Sequence, residues 1–203
     1  MKRRKGLNPL FLQILLFMKK LVCLVGIISV CLSLAAQTNL PPVDKSPMDM
    51  SYYPVNYPVL KIQDKLTEAL VARVVYSRPK KEGRIIFGGL VEYGKVWRLG
   101  ANEATEIEFF QKAVIGDKKI SKGRYTLYAL VNENSWTFIL NKETDTWGAF
   151  KYNQDKDVVR VEVPVEKLGE QVESLAMTFE KTNSTVNLVV AWENVKVALP
   201  ISL

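Results

Sequence analysis

The stretch RYTLYALVNENSWTFIL, residues 124–140, decides the fold class of this chain. Tyr125, Leu127 and Ala129 fall on one face of an extended strand and the residues between them on the other, because successive side chains of a strand alternate. After the polar loop at residues 132–134, apolar side chains again occupy every second position. The stretch therefore predicts two antiparallel strands joined by a tight turn.

Twofold periodicity continues along most of the remaining chain, with turn residues between the alternating segments. Further strands are predicted at residues 69–77, 103–111, 114–115, 119–121, 158–165, 175–179, 186–192 and 195–201. Gly116-Asp117 is expected to form a hairpin turn, and a helical turn fits residues 166–170. Eight or nine short strands with little helix predict an all-β, antiparallel β-sandwich of the jelly-roll or immunoglobulin-like kind.

The N-terminus carries two blocks in which basic residues precede an apolar run. The second block begins at Met18, continues through an apolar run at residues 21–34 and ends in Ala35 and Ala36, which is the layout of a secretory signal peptide. We predict a signal peptide at residues 1–36, with Met18 as a candidate for the true start. The mature protein is then expected in the periplasm, the cell envelope or the exterior, with membrane contact only through the leader before cleavage.

Residues 37–58 hold five of the nine prolines and are predicted to form an extended linker. Residues 59–203 follow, a length that supports one domain with a substantial buried core. We predict a single β-sandwich domain there.

The leader also dominates the charge of the chain. Six of the 28 basic residues lie within residues 1–36, which hold no acidic residue, so the net charge falls from +7 to about +1 when the leader is removed. No basic patch remains that would indicate nucleic-acid binding.

The types of residue that are missing exclude several kinds of active site. The chain has no histidine, and both cysteines, Cys23 and Cys31, lie in the leader. A mature domain without them has no disulfide, no thiol nucleophile, no Ser-His-Asp triad and no Cys/His metal site. We predict no metal site and no cofactor, and an enzyme would have to use carboxylate, Lys, Tyr, Ser or Arg.

The segment from Tyr76 to Thr105 is the densest in polar side chains and glycines. Arginine forks bind carboxylate or phosphate through two hydrogen bonds, tryptophan offers flat apolar area, and a glycine turn lets Asn and Glu side chains project from a loop. The candidate ligand-binding residues are Arg78, Arg84, Trp97, Arg98, Asn102 and Glu103.

A purely structural role for the same residues is also open. Glu103 could pair with Arg98 or Arg78 to fix a long connection between two sheets. Trp97 and Trp147 are interpreted as core residues rather than stacking platforms, because large aromatic side chains dominate core burial. The glycines fit bends and bulges, since no strand–glycine loop–helix context indicates a phosphate site.

Several motifs, in the same order along the chain, resemble those of the DUF2911 family, exported bacterial proteins of unknown function. They are YSRP (76–79), GRIIFG (83–88), VWRLGANEAT (96–105), KGRYTLY (122–128), WTFILNK (136–142) and WGAFKY (147–152). The resemblance covers about residues 66–201 and implies a compact all-β domain, but no activity, substrate or catalytic residue. The family usually has Pro where Glu92 stands and Thr where Leu99 stands, so no ligand contact is expected from position 99.

Three hypotheses for function follow. The leading one is an exported binding module for a small polar, anionic or carbohydrate-like ligand or an envelope component. The alternative is a carboxylate-dependent hydrolase or lyase with Glu103 as acid or base, paired with Glu106, or with Asp155 and Asp157 in that role. A structural protein that binds envelope partners through an exposed sheet edge is the third.

Overall fold

The computed structural model describes residue 10 and residues 13–23, 40–183 and 185–203. The chain divides into two compact units, Met1–Pro42 and Val43–Leu203. In the first unit residues 13–23 are helical, and the predicted cleavage point after Ala36 lies outside the described residues. Within the described residues, no helix combines the length and the apolar character needed to cross a membrane.

The described part of the second unit consists of eleven strands, one short helix, α1 (Tyr57–Ile62), and a 3₁₀ turn at Gln154–Lys156. The strands are β1 (Met48–Tyr53), β2 (Ala72–Ser77), β3 (Val96–Trp97), β4 (Glu106–Phe109), β5 (Ala113–Ile115), β6 (Lys118–Ile120), β7 (Gly123–Val131), β8 (Ser135–Asn141), β9 (Asp157–Pro164), β10 (Glu166–Lys181) and β11 (Val186–Ile201). The predicted all-β fold with little helix is confirmed, with more strands than the eight or nine expected.

The strands form two layers in which every named pair is antiparallel. The main sheet has the order β1-β2-β4-β7-β8-β9, and β3 pairs with β7 beyond the residues that pair with β4. The long hairpin β10–β11 covers this sheet. The small β5–β6 hairpin joins the second layer through a bridge between Val114 and Ser202, just after β11.

The core lies between the main sheet and the β10–β11 hairpin. Leu127 of β7 and Trp136 of β8 face Leu188 and Trp192 of β11 across it, and all four are at most 1% exposed. The alternation read from residues 124–140 is confirmed, because Tyr128 lies on the opposite face of β7. There it joins a smaller apolar cluster on the outer face of the main sheet.

Strand β1 lies within the segment predicted as a linker. Met48–Tyr53 pairs in register with β2, and the Ser51 hydroxyl donates a hydrogen bond to the Met177 carbonyl at 2.6 Å. Pro47 and Pro54 flank the strand and do not interrupt it. A hydrogen-bonded edge strand can therefore form within this proline-rich stretch.

Two predicted elements need correction in the β10–β11 hairpin. The strands predicted at 186–192 and 195–201 are one strand, in which Glu193 has φ of 55° and a bulge shifts the alternation. The helical turn expected at 166–170 is wrong, because this segment belongs to β10, where Glu166 and Lys167 pair with β11.

Candidate functional site

Trp97 anchors an aromatic cluster between the two layers. Its ring centroid lies 5.8 Å from that of Trp136, 6.0 Å from that of Trp192 and 6.1 Å from that of Phe87. The side chain is buried, and its Nε1 donates a hydrogen bond to the Gly100 carbonyl at 3.2 Å. Trp97 is therefore a core residue, as the sequence interpretation favoured, and it also lines the cavities beside the cluster.

Two neighbouring cavities open beside Trp97, and we call them together the arginine cleft. Their volumes are about 430 and 210 Å³, and both are lined by Leu90, Val91, Trp97 and Arg98. Arg84 lines the smaller cavity. The structure thus brings together three of the six predicted site residues, namely Arg84, Trp97 and Arg98.

Arg98 is the unsatisfied group of the arginine cleft. Its Nε atom is buried and has no hydrogen-bond partner among the described residues. Burial lowers the pKa of the Arg98 guanidinium from its usual value, because desolvation disfavours the charged form. An ion pair of Glu103 with Arg98 or Arg78, which the sequence allows, does not form within the described chain.

The turn that follows Arg98 is held by close contacts to strand β2. The Ser77 hydroxyl accepts a hydrogen bond from the Ala101 amide and donates one to the Ala101 carbonyl, both at 2.6 Å. A Cβ on Gly100 would lie 2.7 Å from the Ser77 hydroxyl oxygen, so this approach requires glycine. Leu99 is fully buried with φ of 56°. The backbone that carries Arg98 is therefore fixed before any ligand arrives.

Positive charge predominates around the arginine cleft. Arg84 is exposed, and its Nε and Nη2 donate to the backbone carbonyls of residues 80–81, which leaves Nη1 without a partner among the described residues. Lys95 and Glu92 line the larger cavity, and Lys95 forms no ion pair within the described part of the chain. With Arg84, Lys95 and Arg98 against Glu92, the cleft carries a net charge of about +2 and favours anionic groups.

Arg78 lies outside the lining of the arginine cleft and connects three strands. It follows β2, its Nη1 pairs with Asp49 of β1 at 3.0 Å, and its Nε donates to the Leu175 carbonyl of β10 at 3.0 Å. The two principal donor sites of this side chain are therefore committed to protein acceptors. The structure gives Arg78 a role in holding the edge of the sandwich together.

Asn102 and Glu103 also lie apart from the arginine cleft. The Asn102 carbonyl accepts a hydrogen bond from the Gly148 amide at 2.9 Å, and Glu103 forms an isolated bridge with Trp147. The Glu103 side chain is exposed and lines a separate cavity of about 160 Å³ together with Glu106. The backbone of these two residues fixes the loop that carries Trp147.

Trp147 is exposed, which corrects its interpretation as a core residue. It is 61% exposed, and the nearby Phe150 is 84% exposed. Both rings border a groove of about 630 Å³, lined also by Tyr128 on the outer face of the main sheet. We call it the Trp147 groove. The sequence contained one signal for it, since Trp147 precedes a glycine in a loop that lacks twofold alternation.

Comparison with protein families identifies this domain. The family model described as "Protein of unknown function (DUF2911)" matches residues 58–201, which is more than half of the chain. The chain belongs to the DUF2911 family. Comparison with curated proteins finds no match, and comparison with solved structures finds none either.

Glu92 and Leu99, the two positions at which the motif resemblance implied other residues, both lie beside the arginine cleft. Leu99 is completely buried, so its side chain belongs to the core and makes no ligand contact. Glu92 is exposed and lines the larger cavity. Leu99 therefore contributes nothing to the polar lining of the cleft, whereas Glu92 contributes a carboxylate.

Asp155 and Asp157, the second carboxylate pair considered from the sequence, have different surroundings. Asp155 is exposed, whereas Asp157 accepts hydrogen bonds from the Tyr152 hydroxyl at 2.5 Å, Arg160 Nε at 2.8 Å and Asn141 Nδ2 at 2.7 Å. Burial, followed by the bond to Asp157, raises the pKa of the Tyr152 phenol to about 12. Among the described residues, no three carboxylate, cysteine or histidine side chains converge as metal ligands would.

Proposed function

We propose that the protein is an exported binding module that holds a small anionic ligand, a carboxylate or a phosphate, in the arginine cleft. The observation that carries this proposal is the Arg98 guanidinium, whose Nε is buried without a partner among the described residues. A protein interior leaves few buried polar groups unsatisfied, and a buried charge without a partner is costly. An anion bound in the cleft, which the Arg98 side chain lines, would supply a counter-charge to this guanidinium.

The surroundings of Arg98 support a ligand of this chemistry. Arginine presents two parallel N–H groups to a carboxylate or phosphate, and a second arginine, Arg84, lines the same smaller cavity. The walls formed by Leu90 and Trp97 supply apolar area, and the volumes of about 430 and 210 Å³ suit a small molecule. The anchored turn from Leu99 to Ala101 reduces the ordering cost of binding.

The exported location rests on the leader. The basic start at residues 18–20, the apolar run and the small residues before position 37 have the composition of a signal peptide. The ligand is therefore proposed to be one that the periplasm, the envelope or the exterior presents. No specific observation favours the hydrolase alternative, because the Glu103 side chain is exposed and outside the lining of the arginine cleft.

The test is ligand-induced thermal stabilisation with inorganic phosphate, citrate and glucose 6-phosphate. An anion at one hundred times its Kd stabilises a single site by about 2.7 kcal/mol, so the melting temperature of the wild type should rise. Arg98→Met keeps the length of the side chain and removes the charge, and it should abolish the rise. Arg124→Met is the matched control, because Arg124 is paired with Glu106 and Asp145 outside the cleft. No rise with any of these anions, or an equal rise in Arg98→Met, would contradict the proposal.

A further inference from the structure

We propose a second binding site, the Trp147 groove, which takes a neutral oligosaccharide. The groove is separate from Arg98 and lies over the outer face of the main sheet, with Tyr128 in its lining. Its chemistry differs from that of the arginine cleft in charge and in aromatic exposure. These two differences determine the class of ligand.

The exposure of Trp147 sets it apart from the other tryptophans. Of the four tryptophans of the chain, all within the described residues, Trp97, Trp136 and Trp192 are at most 8% exposed. Trp147, at 61%, leaves most of its indole in water, and Phe150 adds a second ring at 84%. An exposed aromatic patch beside polar groups marks an interaction site, because burial of such rings is strongly favourable.

The backbone holds Trp147 in place before any ligand binds. On one side the Ala104 amide donates to the Thr146 carbonyl at 3.0 Å, and on the other the Gly148 amide donates to the Asn102 carbonyl at 2.9 Å. The Thr146 hydroxyl also lies 3.0 Å from the Tyr128 hydroxyl. Trp147 therefore stands on a loop whose two flanking residues are hydrogen-bonded to the connection between β3 and β4.

Phe150 is held against the same loop. Gly148 has φ of 68°, and a Cβ at this position would lie 2.6 Å from the Phe150 ring. The ring thus occupies the space that a side chain on residue 148 would fill. The Phe150 ring therefore lies against a glycine whose positive φ a residue with a side chain would adopt only with strain.

The charges of the groove balance each other. Glu143 pairs with Lys156, and Asp145 pairs with Arg124 at 2.5 Å. Lys151 is the remaining charged side chain of the lining. Since the acidic groups already have partners, the groove selects neither a cationic nor a strongly anionic ligand.

Neutral sugars match this combination of features. A pyranose ring presents a face of C–H groups that packs on an indole, while its hydroxyls donate to and accept from polar side chains at the rim. The Trp147 Nε1 and the Asn153 Nδ2 have no hydrogen-bond partner among the described residues and can serve as donors. The volume of about 630 Å³ exceeds that of a single sugar residue and suits a short chain.

Titration of the purified full-length protein with maltohexaose, cellohexaose and chitohexaose tests this site, with tryptophan fluorescence as the readout. At least one sugar should change the emission of the exposed indole. Calorimetry should then show that Trp147→Ala binds that sugar with a Kd at least about tenfold higher than that of the wild type. Gly148→Ala keeps both rings but displaces Phe150, and it should also weaken binding. Tyr93→Ala, which removes a partly exposed ring outside both lining sets, is the control and should bind as the wild type does.

Three outcomes would overturn this site. One is the absence of binding to all three sugars, and another is unchanged sugar affinity in Trp147→Ala with circular dichroism that shows a folded protein. The third is a dimer that dissociates in Trp147→Ala, because the groove would then bind a second copy of the chain. Arg98→Met separates this proposal from the preceding one, since it should leave sugar binding intact.

Discussion

The indoles of Trp97 and Trp192 lie almost parallel, with 17° between their planes and 6.0 Å between their centroids. Trp97 comes from β3 of the main sheet and Trp192 from β11 of the covering hairpin, so this contact joins the two layers. It also lies beside the arginine cleft, because both rings line the smaller cavity. The stability of the sandwich and the shape of the cleft therefore depend on the same pair.

Replacement of Trp192 by Ala should lower the free energy of unfolding by about 3–5 kcal/mol, because the side chain is 1% exposed and leaves a cavity. Trp147→Ala is the matched control and should change stability by about 0.5 kcal/mol or less, since its ring is in solvent. Urea denaturation of both variants measures the difference. Equal losses would show that the assigned burial of these two rings is wrong.

Arg98 and Arg78 should respond in opposite ways to replacement by Met. In the absence of ligand, Arg98→Met should leave stability unchanged or raise it, because this partly buried side chain forms no ion pair and its buried Nε has no partner among the described residues. Arg78→Met should lower stability by about 1 kcal/mol, because it loses a partly exposed ion pair with Asp49 and a bond to Leu175. Chemical denaturation in a buffer free of phosphate and carboxylate measures both. A large loss for Arg98→Met would reveal a structural partner.

Gly100 and Ser77 should be coupled. Gly100→Ala places a methyl group 2.7 Å from the Ser77 hydroxyl oxygen and should cost about 1–3 kcal/mol. Ser77→Ala should cost a similar amount, about 1–3 kcal/mol, because both backbone groups of Ala101 lose their partner. The double variant removes the clash and should be less destabilised than the sum of the two. Additive losses in a double-mutant cycle would argue against this contact.

Alkaline pH should destabilise the protein through Tyr152. Its phenol has a pKa of about 12 in the folded protein, against 10.0 for an unperturbed tyrosine. Below pH 10 the phenol is protonated in both the folded and the unfolded protein, and its contribution to the free energy of unfolding is fully present. Between pH 10 and 12 the unfolded chain loses the proton first, so the free energy of unfolding falls as the pH rises.

Tyr152→Phe should therefore reduce the loss of stability that the protein shows at alkaline pH. Between pH 10 and 12 the free energy of unfolding should fall by about 1 kcal/mol less in the variant than in the wild type. This difference is smaller than the pKa shift alone would give, because solvent screens this partly exposed group. Urea titrations at several pH values between 9 and 12 measure the two slopes. If the free energy of unfolding depends on pH in the same way in both proteins, the alkaline loss of stability does not come from Tyr152.

The sequence predicted the all-β fold, whereas the grouping of the candidate site residues in space depends on tertiary packing. Alternation along residues 124–140 assigns the side chains of β7 to their correct faces, because successive side chains of a strand point to opposite sides of the sheet even where both sides are buried. In the short strand β1, Met48 and Met50 also alternate with polar residues, but both methionines are exposed and prolines flank the strand, so the pattern there did not mark a buried face. Trp97 and Trp147 both stand next to turns, and only tertiary packing makes the first buried and the second exposed.

The predicted site residues line different cavities because of a backbone geometry that the sequence does not indicate. Leu99 and Asn102 have φ of 56° and 59°, and leucine is an uncommon residue for that left-handed region. Between these two bends the chain turns so that Arg98 lines the arginine cleft while Glu103 lines a different cavity. Proximity in sequence therefore did not translate into one polar cluster.

Phe150 belongs to the lining of both the arginine cleft and the Trp147 groove. In the two proposed sites, a ligand that moved this ring in the cleft would change the shape of the groove, and the two occupancies would then be thermodynamically linked. Such linkage is reciprocal: whatever factor a sugar applies to the affinity for an anion, the anion applies to the affinity for the sugar. We therefore expect sugar and anion titrations, each carried out in the presence of the other ligand, to give affinities that change by the same factor.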